Sequence, residues 1–173
     1  MERNNVITFK GNALTLVGPA LKVGDTAPDF TAVDAGLQPV KLSNFKGQTV
    51  VISAVPSLDT PVCEIQTKRF NQEAAGLAAK VLTISVDLPF AQKRFCDANK
   101  INGVTVLSDY KDRDFANKYG LFIKELALVA RAVIVVDKDG KISHLEIVKE
   151  VTTEPNYAAA MESVKKGVTA GAR

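Results

Sequence analysis

The sequence predicts an α/β fold: a central mixed sheet with helices on both faces, preceded by a β-hairpin. Three observations carry this. From residue 49 onward, short apolar runs alternate with stretches of helical period, the pattern of strands joined by crossover helices. Late in the chain two apolar runs flank Asp137-Lys138-Asp139-Gly140, a turn signature that adds an antiparallel pair. Near the start, alternating residues flank Gly11-Asn12, a second hairpin signal.

Taken in order, residues 5–17 form the first hairpin, with Val6, Thr8 and Lys10 on one face and Ile7 and Phe9 on the other. Residues 18–48 hold Pro19, Pro28, Pro39 and several glycines and read as loop with short extended pieces. Residues 49–55 are a largely apolar run, as expected for a strand buried on both faces. Residues 63–79 are helical, with Ile65, Phe70, Ala74, Leu77 and Ala78 roughly on one face. A second buried strand covers 81–86, and a helix opened by Pro89 covers 89–100. A short strand at 104–107 precedes a helix at 112–119 closed by Gly120. Strands at 132–136 and 142–148 flank the late turn, and a final helix over 154–168 carries Pro155 at its second position. The early alternation implies right-handed crossovers and parallel strands. A thioredoxin-like fold satisfies this order. Residues 1–173 read as a single domain, with 1–18 as a hairpin extension at its N-terminus.

Composition narrows the function classes. The chain has 173 residues, of which 46% are hydrophobic and 24% charged, ordinary values for a globular protein with a substantial core. The net charge of +3 is scattered along the chain, which argues against a nucleic-acid surface. No apolar run approaches the roughly 18–20 residues that span a bilayer, so no membrane partner is expected. Met1-Glu2-Arg3-Asn4-Asn5 does not lead into an apolar signal core. A cytoplasmic setting is expected, where structural disulfides are rare. Two cysteines and one histidine, His144, are too few for a four-ligand zinc site. His144 alternates with Leu145 on a late strand and reads as a surface or sheet-edge residue. The Asp137–Gly140 turn lacks the spacing and the glutamate of a calcium loop. No metal is expected.

The chemistry concentrates at Val55-Pro56-Ser57-Leu58-Asp59-Thr60-Pro61-Val62-Cys63. A buried strand ends in a proline-punctuated loop, and the helical period begins at or near Cys63. Unsatisfied N–H groups and the positive end of the macrodipole gather in the first helical turn, and both favour a thiolate. Reactive cysteines commonly use this placement. Thr60 lies three residues earlier; its hydroxyl can bond the sulfur or hold an oxygen approaching it. Pro56 can screen the thiol from water. The competing reading of Cys63 is an inert, buried small hydrophobe.

These residues resemble a family. Pro56, Thr60 and Cys63 match the active-site pattern of the peroxiredoxins: a proline, then a threonine or serine, then the peroxidatic cysteine. The run Val55–Cys63 looks like the thiol peroxidase branch, and so does the segment from Asp87 to Cys96. Leu107 to Phe115 and Ala130 to Asp137 match as well, so the resemblance covers nearly the whole chain. Pro61 is a small departure, since glycine is also common there.

The resemblance implies a thiol-dependent peroxidase without cofactor or metal. Cys63 attacks hydrogen peroxide or an organic hydroperoxide and becomes a sulfenic acid. Arg131 lies beside the sulfur and bonds the peroxide oxygens; Thr60 supports the peroxide and Pro56 shields the pocket. Read from its residues alone, Arg131 is a salt-bridged surface arginine at a strand start, and Cys96 a core residue of its helix. By resemblance Cys96 is the resolving cysteine, which forms an intrachain disulfide with Cys63 that thioredoxin reduces. A homodimer is implied on the same basis. Because a disulfide needs Cα atoms within about 7 Å, unwinding of the first turn after Cys63, of the Cys96 helix, or of both is expected on oxidation. Two other readings use the same residues. A thiol–disulfide oxidoreductase usually carries Cys-x-x-Cys, and here position 66 is Gln66. A peroxide-sensing redox switch would share the first step and saturate after one equivalent.

Overall fold

The computed structural model describes residues 1–171, with side chains to residue 167. Along the chain come β1 (Glu2–Phe9), β2 (Asn12–Val17), β3 (Thr31–Val33), β4 (Pro39–Lys41), a 3-10 turn at Leu42–Phe45, β5 (Val50–Ala54) and α1 (Pro61–Ala74). They are followed by β6 (Lys80–Ser85), α2 (Pro89–Asn99), β7 (Thr105–Ser108), α3 (Asp114–Lys118), β8 (Phe122–Ile123), β9 (Leu128–Val129), β10 (Ala132–Val136), β11 (Ile142–Ile147) and α4 (Tyr157–Gly171). The main sheet has seven strands in the order β11-β10-β5-β6-β7-β3-β4. β5, β6 and β7 are parallel, as the alternation of strand and helix requires. β10 lies antiparallel to β5, with Ile134 opposite Ile52, and β11 returns from it to form the edge. His144 lies on that edge strand, as its alternation predicts.

Alternating residues of the central strands feed two cores. Val50, Ile52 and Ala54 of β5 join Leu82, Ile84, Leu107 and Ile134 on one face, against Phe115 and Ala116 of α3 and Ile7, Leu14 and Leu16 of the N-terminal hairpin. Val51 joins Val81, Val133 and Val135 on the other face, against Phe70 of α1 and Ala160 and Val164 of α4. α2 packs on this second face too, where its Phe95 and Val106 of β7 pack against Val55, Leu58 and Cys63. Helices therefore cover both faces, as expected, but α3 shares its face with a small sheet in the order β1-β2-β8-β9.

The differences from the sequence reading have local causes. β1 begins at Glu2 and not near residue 5, because a bulge at Asn5 (φ 61°) interrupts the alternation and shifts the register between Asn4 and Ile7. β3 and β4 fall inside the expected loop; at three residues each they are too short for a period to emerge. α1 stops at Ala74, short of residue 79, since Gly76 follows and glycine disfavours helix by about 1 kcal/mol. Leu77 and Ala79 still pack against the second core from the connecting turn. α4 starts at Tyr157, with Pro155 outside it and Asn156 Oδ1 accepting the N–H of Ala159 at 3.1 Å. α3 spans only Asp114–Lys118 of the expected 112–119, and Gly120 (φ 65°) follows its cap at Tyr119; an added Cβ there would collide with the Pro19 carbonyl oxygen, so only glycine fits.

The hairpin also braces the far end of the fold. The Thr8 N–H donates to Lys149 O (2.7 Å), and the Val151 N–H donates to Thr8 O (2.9 Å). Among the described residues no helix is long and apolar enough to cross a membrane. The carboxyl ends of β5, β6 and β7 face the loops 55–60, 86–88 and 109–113, the edge where parallel sheets place their sites.

Candidate active site

Cys63 lies just beyond the carboxyl end of β5. The loop leaves the strand through Val55 and Pro56, both buried, and enters α1 at Thr60, whose backbone is still extended (φ −121°, ψ 149°). Pro61 is the first helical residue. It does not belong to the loop, because its fixed φ and missing N–H suit that position. Cys63 is thus the third residue of the helix, in the turn where backbone N–H groups are unpaired.

The thiol is fully buried, clustered with Val55 and Leu58 and lined by Phe95 and Val106. Its polar neighbour is Arg131, which precedes β10 and is brought beside the end of β5 by the antiparallel pairing of the two strands, with Ala132 opposite Ala54. Arg131 is 2% exposed, so the surface arginine suggested by its sequence position is excluded. Its Nη2 donates to Cys63 Sγ at 3.2 Å, its Nη1 to Gln66 Oε1 at 2.9 Å and its Nε to Val151 O at 2.8 Å. Three of the five guanidinium N–H groups are used in these bonds. Two of the acceptors are neutral carbonyl-type oxygens, and the sulfur is the only one of the three that can carry negative charge. A buried cation with neutral partners is poorly compensated, and the Cys63 sulfur is the atom that its Nη2 faces.

Gln66 was not singled out as a site residue by its sequence. It is fully buried one turn after Cys63, and its Nε2 donates to Ser53 Oγ at 2.8 Å. The available signal was polar residues in apolar places: Ser53 within a buried strand, and Gln66 three and four positions from Cys63 and Phe70. Val151 was missed because the loop that carries it is placed by the N-terminal hairpin.

Thr60 is half-buried, and its Oγ donates to the Ser57 carbonyl at 2.9 Å. The hydroxyl proton is therefore committed away from the sulfur, which leaves the oxygen lone pairs as acceptors. Pro56 is buried at the base of the same loop.

Cys96 lies elsewhere. It is half-buried on α2 and lines a cavity of about 330 Å³ with Asp34, Gln92, Asp97 and Thr105; Cys63 is not among its walls. Both thiols are free. Burial pushes the Cys96 thiol up, Asp97 adds to this, and Lys93 opposes it. A second cavity of about 350 Å³ lies by Val50 and Val136, at the opposite end of β5 from the thiol.

The Redoxin family pattern matches residues 22–161. The thiol peroxidase of Bacillus subtilis is 51% identical over 160 residues, covering 92% of this chain and 96% of the relative. The chain belongs to the thiol peroxidase family. The thiol peroxidase of Oceanobacillus iheyensis is 52% identical over 161 residues, 92% of this chain and 98% of the relative. Among solved structures, a peroxiredoxin-like protein from Aquifex aeolicus superposes with a TM-score of 0.88 at 48% identity, over 92% of this chain and 95% of the other. A thiol peroxidase from Chromobacterium violaceum, 22% identical, shares the fold with a TM-score of 0.83 over 95% of this chain and 97% of its own. As a thiol peroxidase the protein is an oxidoreductase, and the Cys63 pocket is where its elements place a thiol beside a buried cation.

Proposed function

We propose that Cys63 is the peroxidatic nucleophile, that Cys96 resolves it, and that thioredoxin returns the pair to dithiol. The observation that carries this is the 3.2 Å contact between the Arg131 guanidinium and the Cys63 sulfur inside a closed apolar pocket. The thiolate attacks the terminal peroxide oxygen: an S–O bond forms, the O–O bond breaks, and the departing alkoxide takes a proton to leave as alcohol. From hydrogen peroxide the product is water. The remaining guanidinium N–H groups support the charge on the departing oxygen, as preorganised donors do. Thr60, acceptor-only toward the pocket, receives the O–H of the incoming hydroperoxide, and Pro56 keeps water out. Val55, Leu58, Phe95 and Val106 suit the alkyl part of an organic hydroperoxide.

The Cys63 sulfenic acid then condenses with the Cys96 thiol, releasing water and forming an intrachain disulfide. Cys63 is sealed behind Leu58 and Phe95 while Cys96 faces a separate cavity, which supports unwinding between the two steps. α2 is the better candidate to move, since it ends on Lys100 in a left-handed conformation (φ 54°). Thioredoxin cleaves the bond by thiol–disulfide exchange. A cytoplasmic setting and a single domain over residues 1–173, expected from the sequence, and a homodimer, implied by the resemblance, complete the reading.

The test is peroxide consumption coupled to a thioredoxin system, run on the protein and on Cys63→Ser and Cys96→Ser. Many equivalents consumed per chain, lost in both variants, support the reading. Consumption that stops after one equivalent with reductant present identifies a sensor. Size exclusion chromatography of the reduced chain decides the dimer.

A further inference from the structure

The loop that walls the Cys63 pocket and the helix that carries Cys96 are fastened to one carboxylate. Asp87 follows β6 and is half-buried. Its Oδ1 accepts the Ser57 hydroxyl at 2.7 Å, and its Oδ2 accepts the Leu58 N–H and the Ser85 hydroxyl, each at 2.7 Å. Ser85 Oγ in turn accepts Gln92 Nε2 of α2 at 3.0 Å, and the same Nε2 donates to Leu107 O of β7 at 2.8 Å. The Asp87 backbone carbonyl accepts the Ser108 hydroxyl at 2.5 Å. The network thus joins the ends of β6 and β7, the first turn of α2 and the loop before α1.

Two consequences follow for the pocket. Leu58, held through its N–H, is one of the residues packed on the thiol. Ser57, held through its hydroxyl, presents the carbonyl that takes the Thr60 proton. The carboxylate therefore acts on Thr60 through Ser57, keeping that oxygen an acceptor, and on the pocket wall through Leu58. On its other side it acts on α2 through Ser85 and Gln92.

We propose that Asp87 is a positioning residue that sets the balance between peroxide attack and disulfide formation, by latching the Ser57–Leu58 turn and the start of α2 into the arrangement that attack requires. This rests on the assignment of Cys63 as nucleophile and Cys96 as resolving cysteine. Hydrogen bonds to an ionised acceptor are the stronger kind, and three of them meet on one side chain. With the latch closed, Thr60 is oriented and the pocket is walled. Forming the disulfide requires loop and helix to separate, so the same bonds oppose resolution. A residue that merely held the fold together would slow both steps.

The experiment compares Asp87→Asn with the unsubstituted chain in single turnovers with cumene hydroperoxide. Quenched samples are read by intact mass, the sulfenic acid as a gain of one oxygen and the disulfide as a loss of two hydrogens. Attack is expected to slow while resolution quickens, so that the ratio of attack rate to resolution rate falls at least fivefold. A smaller fall, no change or a rise in that ratio overturns the role of Asp87. Should Asp87→Asn fail to fold, Ser57→Ala, which removes one of the three donors, decides the matter: a fall of at least twofold supports the role, and anything less overturns it. If the unsubstituted chain forms neither sulfenic acid nor disulfide, the assignment of Cys63 and Cys96 falls, and this proposal with it.

Discussion

Cys63 and Cys96 sit on consecutive helices that pack on the same face of the sheet, in opposite surroundings. Cys63 opens α1, is fully buried, and has a guanidinium at 3.2 Å from its sulfur. Cys96 sits in the last turns of α2, is half-buried beside a cavity, and has its thiol pushed up by burial and by Asp97. The first thiol is placed where charge on sulfur is compensated, and the second where charge is opposed. The contrast suits a pair in which one sulfur attacks in place and the other stays protonated until the structure around it opens.

The largest expected effect breaks the comparison outright. Cys63→Ser, which keeps the size of the side chain, should abolish peroxide reduction while leaving the fold intact by circular dichroism; a folded variant with undiminished turnover would remove Cys63 from the mechanism. Cys96→Ser should separate the two thiols. Mass spectrometry should find the first oxidation of Cys63 preserved and faster overoxidation to sulfinic acid, while thioredoxin-driven turnover disappears. Arg131→Ala should lower the second-order rate with an alkyl hydroperoxide by about 10²–10³-fold, the usual cost of one preorganised donor. Arg131→Lys should restore only part of that rate, because an ammonium lacks the planar fork that bonds sulfur, Gln66 and Val151 together.

Smaller effects sharpen the picture. Gln66→Ala leaves a buried guanidinium N–H and the Ser53 hydroxyl without their partner. Denaturant titration should register a loss of about 1–3 kcal/mol. The smallest effect concerns the brace behind Arg131. The Glu150 carboxylate accepts the hydroxyl and N–H of Thr152, the N–H of Gly11 and the hydroxyl of Thr8, which hold it down at about 2. A carboxylate lowered on folding contributes stability above its usual value of 4.5, and that contribution is lost as pH falls through about 2. Glu150→Gln should therefore lower stability slightly at neutral pH, flatten the acid limb of the stability curve between those values and change little below about pH 2. An unchanged acid limb would show that these bonds do not outlast solvent screening.

Much of the site was legible because its chemistry is local. A thiol at a helix start, a threonine three residues earlier and a proline at the loop entrance lie within nine residues of one another in the chain. The helix start is a local signal because any helix exposes unpaired N–H groups in its first turn. The alternation of strand and helix from residue 49 likewise dictated the parallel centre and the antiparallel edge, since period and run length fix which faces are buried. Arg131 was legible only through resemblance. Position before a strand reads as surface, and burial came from the strand's place inside the sheet, between β11 and β5.

What tertiary structure alone decided is every contact between distant segments. The pairing of β10 with β5 sets Arg131 against Cys63, 68 residues apart. The N-terminal hairpin holds the Val151 loop, and through it the guanidinium. Asp87 joins the loop of one cysteine to the helix of the other. Periodicity records which side of an element is buried, but a hydrogen bond between side chains also depends on strand order and register. The sequence by itself determined the elements, their faces and the placement of Cys63 at a helix start; the folded chain determined which cation, which amide and which carboxylate lie around it.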